Sequence, residues 1–167
     1  MALVLVTLIA TPLARGQSTG SAAGDSAGAA RLGGEDGITG TVDGTVYTYT
    51  RRTSPVGPSA IVVQGDAEVR AGDGQRWSLR FPNRVGTYEC GPTLAVGSAH
   101  VRLRRESPAG VTTGRGSCVI HVTSVGDVYE GSFSGMIDTD LGLLRLTAGA
   151  FRVHSRRGAA AATTAWR

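Results

Sequence analysis

The segment Cys118-Val-Ile-His-Val-Thr-Ser-Val-Gly-Asp-Val-Tyr-Glu-Gly-Ser-Phe-Ser-Gly-Met-Ile137 decides the fold class. Its first part, Cys118 to Val125, is apolar and β-branched, which suits a pleated and half-buried surface. Gly126-Asp127 breaks the run at turn spacing. In the second part Tyr129, Phe133 and Ile137 fall on one side of a two-residue period, and Glu130, Ser132 and Ser134 on the other. A strand sends successive side chains to opposite faces, so this reads as a hairpin with one dry and one wet face.

The same period extends outward from there. Trp77, Leu79 and Phe81 alternate with Arg76, Ser78 and Arg80, and Pro82-Asn83 ends that run. His100, Arg102 and Arg104 alternate with Val101 and Leu103. Ile38 to Val42 and Thr45 to Tyr49 flank Asp43-Gly44, a pair suited to a type I′ turn because both central residues need positive φ. Val85 to Cys90 is a short strand. Asp138 to Gly142 is a turn, and Leu143 to Val153 closes the series, with a bulge expected at Gly149. No stretch repeats apolar residues at helical spacing. The expectation is an all-β chain, an antiparallel β-sandwich or flattened barrel of about eight short strands.

Composition sets the boundaries. Residues 2–10 form an apolar run of signal-peptide length, too short to span a bilayer, and small residues follow at Ala14 and Gly16. Residues 1–16 are therefore expected to be a signal peptide and the protein to be secreted or periplasmic, with no transmembrane segment after cleavage. Residues 17–36 are mostly Gly, Ala and Ser and read as a flexible linker. The β domain is expected at 37–154 and a disordered tail at 155–167. Gly is 25 of 167 residues, and the excess divides between this spacer and the hairpin turns. All 17 basic residues are Arg, against 13 Asp and Glu. Within 37–154 the balance is twelve Arg to ten acids, so the domain is nearly neutral. That is a weaker excess than nucleic-acid binders carry.

Cys90 and Cys118 are expected to form one disulfide, the simplest pairing in an exported chain with two cysteines. The alternative, a redox pair or metal ligands, has neither CxxC spacing nor a neighbouring His or acid to complete a site.

Five short motifs carry a resemblance. They are Ile38-Thr-Gly-Thr-Val-Asp-Gly44, Gly86-Thr-Tyr-Glu-Cys-Gly91, Ser117-Cys-Val-Ile-His-Val-Thr-Ser-Val125, Tyr129-Glu-Gly-Ser-Phe-Ser-Gly135 and Leu146-Thr-Ala-Gly-Ala-Phe-Arg-Val153. Together they resemble a group of small exported bacterial β-proteins, many of them lipoproteins. That group has an N-terminal T-x-D-G hairpin and a C-terminal E-G-T-F-S…L-T-N-G-x-F-x-V hairpin. The resemblance implies the β fold and export, and transfers no catalytic residue. The chain departs from the group in lacking the lipid-anchor Cys and in having Ala148 where Asn is usual.

Candidate chemistry is sparse. Gly24-Asp-Ser-Ala-Gly28 matches the nucleophile-elbow pattern but sits in the small-residue spacer, without the strand and helix that motif needs. His100, His121 and His154 lie on three different expected strands; three His can hold zinc, but scattered His are ordinary composition. Asp138-Thr-Asp140 has the alternating carboxylates of a calcium loop without its terminal Glu, and reads as a plain turn. No metal or cofactor site is expected. Arg76, Arg80, Arg102, Arg104 and Arg152 are expected on wet strand faces, where guanidinium groups can take phosphate or carboxylate. The leading expectation is a non-enzymatic binding or surface-interaction domain with an extracytoplasmic ligand or protein partner. The second is a binder of anionic polymer, such as lipopolysaccharide, acidic glycan or nucleic acid, through these Arg. The third is a small extracytoplasmic hydrolase.

Overall fold

The computed structural model describes residues 28–53, 57–72, 76–91, 95–107, 110–140 and 142–155. The expected signal peptide, residues 17–27 of the spacer, most of the Gly24–Gly28 motif and residues 156–167 of the expected tail lie outside the described residues.

The strands are β1 (Gly37–Val42), β2 (Thr45–Thr50), β3 (Ser59–Val63), β4 (Asp66–Ala71), β5 (Trp77–Pro82), β6 (Gly86–Glu89), β7 (His100–Ser107), β8 (Gly110–Ser124), β9 (Val128–Thr139) and β10 (Gly142–His154). They form one antiparallel sheet in the order β2-β1-β10-β9-β8-β7-β5-β4-β3, with β6 paired to β8. β8 is long enough for β7 to pair with its first half and β6 with its second, along the same edge. The sheet curls into a half-barrel around its apolar face. The structure is thus mostly β, as the two-residue periods require, but built as one curled sheet of ten strands among the described residues.

The two additional strands are the β3–β4 hairpin. Gln64 and Gly65 form its turn with φ of 53° and 88°. Gln is not a usual first residue for a turn with positive φ, so the sequence carries no strong signal there. By contrast, Asp43 and Gly44 join β1 to β2 with φ of 47° and 81°, as their chemistry demands.

The concave face holds the core. Trp77, Leu79 and Phe81 from β5, Val101 and Leu103 from β7, and Tyr129, Phe133 and Ile137 from β9 are all buried. Trp77 meets Phe133 edge-on, centroids 5.4 Å apart, and Phe81 meets Phe151 of β10 at 5.3 Å. Neither pair joins hydrogen-bonded neighbours, so these contacts hold opposite walls together.

Two glycines admit the rings. Phe151 is paired with Gly131 and Phe133 with Gly149. A Cβ on Gly131 would lie 2.7 Å from the Phe151 ring, and one on Gly149 2.6 Å from the Phe133 ring. The bulge in β10 falls between Leu146 and Gly149, and its left-handed residue is Ala148, with φ of 49°.

Within residues 28–36, expected to be spacer, Gly28, Leu32 and Asp36 are buried and Ala29, Ala30, Arg31, Gly33 and Gly34 are exposed. Residues 28–32 form a short helical segment, Leu32 is buried, and Asp36 is buried against His154, Arg51 and Arg152.

Cys90 and Cys118 are disulfide-bonded, with Cα atoms 4.8 Å apart. The bond ties the end of β6 to β8 across a separation of 28 residues. Closing a loop of that length is worth about 3.5 kcal/mol in the chain-entropy model. Replacing both cysteines by Ser is expected to lower unfolding stability by about that amount in urea titration. Ala148→Asn is expected to raise it by about 0.5–1 kcal/mol, because Asn tolerates the left-handed conformation that Ala occupies at a cost.

Candidate functional site

Strand register builds the site on the convex face. Arg70 of β4 pairs with Ser78 of β5, Ser78 with Arg102 of β7, and Arg102 with Arg115 of β8. These four positions form one row across four strands. Beside it, Glu68 of β4 pairs with Arg80 of β5, and Arg80 with His100 of β7. Neighbouring strands lie about 4.8 Å apart, so the two rows bring four guanidinium groups onto one patch. All seven residues line a cavity of about 150 Å³.

The charges there are held in two different ways. Arg70 grips Glu68 through two hydrogen bonds, Nε to Oε1 at 2.8 Å and Nη2 to Oε2 at 2.6 Å. Ser78 Oγ donates to the same carboxylate at 3.0 Å. Burial pushes the Glu68 carboxyl up, but Arg70, Ser78 and Arg80 together outweigh it and hold its pKa below the usual value. Arg80 donates Nε to buried Asp66 at 3.1 Å. Asp66 is fixed in turn by the backbone N–H of Gly97. This anchors the Arg80 guanidinium and leaves its buried Nη2 with no protein partner. Arg102 and Arg115 are exposed and have no acidic partner among the described residues.

His100 is 5% exposed, and its Nδ1 has no protein partner. Burial lowers its pKa first and Arg80 next; Glu68 opposes them, and Arg115 and Arg102 add smaller contributions that lower it further. The ring is therefore neutral near pH 7.

Of the five arginines expected on wet faces, Arg80 and Arg102 meet in this cavity, and the other three do not. Arg76 sits 5.9 Å over the Tyr49 ring, and its Nη1 lies 3.5 Å from the Tyr49 hydroxyl. Arg104 pairs with Thr113 and is outside the cavity lining. Arg152 donates to Gly34 O at 3.0 Å and approaches Asp36 and Glu130 at 3.9 and 4.0 Å. Sequence pattern does not single out Arg70, Arg115, Glu68 and Ser78. Alternation within β4 and β5 places residues on wet faces, but only register brings these four together.

A second cavity of about 340 Å³ lies under the helical segment, bounded by Leu32, His121, Glu130, Ser132 and Arg152. Its one Arg is already engaged by two carboxylates. His121 Nδ1 contacts Thr87 Oγ1 at 2.8 Å, and His154 Nδ1 contacts Asp36 at 2.6 Å. With His100 in the Arg cavity, the three His thus have three separate settings. Among the described residues no group of three or more His, Cys, Asp or Glu could hold a metal ion. Asp138 lies at the end of β9 opposite Arg115, and Thr139 Oγ1 donates to Gly142 O across the turn.

No protein-family model, curated protein or solved structure matches this chain. The chemistry of the site therefore rests on its own geometry.

A His whose folded pKa lies below its unfolded value binds fewer protons folded than unfolded. Its contribution to stability is complete above the unfolded value, near 6.5, and is lost as pH falls below it toward the folded pKa. Wild-type stability is expected to fall across that window, and His100→Gln to remove that part of the slope, in thermal melts compared pH by pH.

Proposed function

We propose that this chain is an exported, non-enzymatic binding module whose convex β4–β5–β7–β8 face takes anionic groups. The observation that carries the reading is the convergence of Arg70, Arg80, Arg102 and Arg115 on one cavity containing a single carboxylate, Glu68. Arg70 is spent on that carboxylate and Arg80 is pinned at one edge by Asp66. Arg102, Arg115 and the free edge of Arg80 remain to donate to a ligand. Planar guanidinium groups match phosphate, sulfate and carboxylate oxygens two at a time, and such charge-assisted bonds are stronger than neutral ones.

Export accords with the disulfide and with the apolar N-terminal run. No helix among the described residues is long and apolar enough to cross a membrane. An acidic glycan or other anionic polymer suits the face, because Arg102 and Arg115 are exposed and can follow a chain that continues beyond the cavity. Hydrolysis draws less support from these two cavities, each of which presents one carboxylate, Glu68 or Glu130, among the described residues, where glycosidases work with a pair.

Retention on immobilised heparin tests the reading. Arg102→Ala/Arg115→Ala is expected to weaken binding at least about tenfold, on the basis of roughly 1.5–3 kcal/mol for each charged hydrogen bond. Arg51→Ala/Arg52→Ala, which removes the same charge from the β2–β3 connection, is expected to change it far less. Equal losses in the two double variants would mean that net charge, not this face, binds the polymer.

A further inference from the structure

Resting on the anion-binding reading above, we infer that the cavity takes a doubly charged tetrahedral oxyanion end group together with one proton, and that the proton goes to His100.

The cavity size sets the ligand. The cavity measures about 150 Å³, several times the volume that one water molecule needs. That admits a sulfate or phosphate group with a few waters, and leaves the rest of a polymer outside. Arg80 and His100 are cross-strand partners, and each has a buried nitrogen, Nη2 and Nδ1, without a protein partner. A buried polar atom left unsatisfied is costly, so a ligand that reaches this point relieves a cost already built into the fold.

The charges around His100 make the proton follow the anion. Glu68 and Arg70 face it from β4, Ser78 and Arg80 from β5, Arg102 from its own strand β7 and Arg115 from β8. Only Glu68 favours a charged ring, and Arg70 and Ser78 already occupy that carboxylate. In the free protein the neighbours and burial therefore keep His100 neutral. A dianion beside Arg80 and Arg102 cancels the net positive charge that Arg102 and Arg115 leave on this patch, and an opposite charge within about 4–6 Å of an imidazole favours its protonated form. The balance is simple: neutral His100, one proton from solvent and one dianion give an imidazolium–oxyanion pair, with no bond broken in the ligand. A singly charged carboxylate compensates fewer of these positive groups and draws the proton more weakly.

Calorimetric titration with sodium sulfate tests this, because sulfate keeps both its charges from about pH 8 to about pH 5, so that any proton taken up on binding goes to the protein. Titrations at fixed pH in buffers of different ionisation enthalpy count the protons. The expected result is uptake approaching one proton per sulfate, and affinity that rises as pH falls, by at most about tenfold per pH unit. His100→Gln is expected to bind sulfate with no uptake and little pH dependence. The imidazole resonances of His100 in the wild-type protein give a check that needs no variant, since their midpoint should move to higher pH with sulfate. Inorganic phosphate, titrated in parallel, separates phosphate preference from a general oxyanion site. Sulfate binding with no proton uptake and an unmoved midpoint overturns the proton coupling and leaves the anion-binding reading intact. Uptake that persists in His100→Gln also overturns it. Failure of both sulfate and phosphate to bind at any of these pH values, with heparin retention preserved in Arg102→Ala/Arg115→Ala, overturns both.

Discussion

The contact between Trp77 and Phe133, continued by Phe81 against Phe151, is the constraint on which this structure rests. β5 lies three places from β9 in the sheet, so backbone hydrogen bonds alone would leave them apart. The rings bring them together and so set the curl. Aromatics are only 5% of the chain, so these few rings span an interior that is otherwise mostly Ile, Val, Leu and Ala. Phe151 and Phe133 also need a gap on the adjacent strand, and Gly131 and Gly149 lie opposite them. Aromatic side chains covering a cross-strand glycine let the curved sheet pack closely without a second layer of helices.

Fixing the inner face fixes the outer one. Because the side-chain period is two, burying Trp77, Leu79 and Phe81 obliges Ser78 and Arg80 to point outward, and burying Val101 and Leu103 does the same to His100 and Arg102. The aromatic core and the Arg cavity are thus two sides of one register. The outward face is not simply wet, however. Asp66, Ser78 and His100 are buried there. Guanidinium groups lie over them, and the cost of burial is met by paired hydrogen bonds at Asp66 and Glu68. At His100 Nδ1 and Arg80 Nη2 no protein group meets it. Structural polar networks tend toward full satisfaction, so an incomplete one on a cavity wall is a functional signal.

Short-range pattern makes the inward residues legible in the sequence itself. Tyr129, Phe133 and Ile137, the Trp77 face and the Asp43-Gly44 turn follow from local chemistry, and the Cys90–Cys118 pairing from there being two cysteines in the chain. The β3–β4 hairpin is not legible, because Gln64 begins its turn and β4 places only Ala67, Val69 and Ala71 in the core. The site is half legible. Parity puts Arg80 and Arg102 on wet faces, but convergence with Arg70 and Arg115 depends on which strands are neighbours, and β5 meets β7 rather than β6. Sequence order hides that step. Arg76 and Arg152 show the converse: side chains of the expected chemistry are drawn to Tyr49 and to Asp36 by groups far away in the chain.

The path of the sheet ends at β2 and β3, two edges to protect besides the short β6, which pairs with β8 alone. Tyr47 and Tyr49 of β2 reach across to Arg105 and Arg76, at 5.8 and 5.9 Å, so that edge strand is held against the opposite wall by cation–π contacts. Ala60 of β3 forms a parallel bridge with Ser155 just beyond β10. Near β10, Asp36 joins Arg51 at the end of the β1–β2 hairpin to His154. These contacts tie both edges of the half-barrel to its own body. The edges are therefore poor places for a partner strand to add. Recognition falls instead to the convex face, where the exposed cations Arg102 and Arg115 have no acidic partner among the described residues.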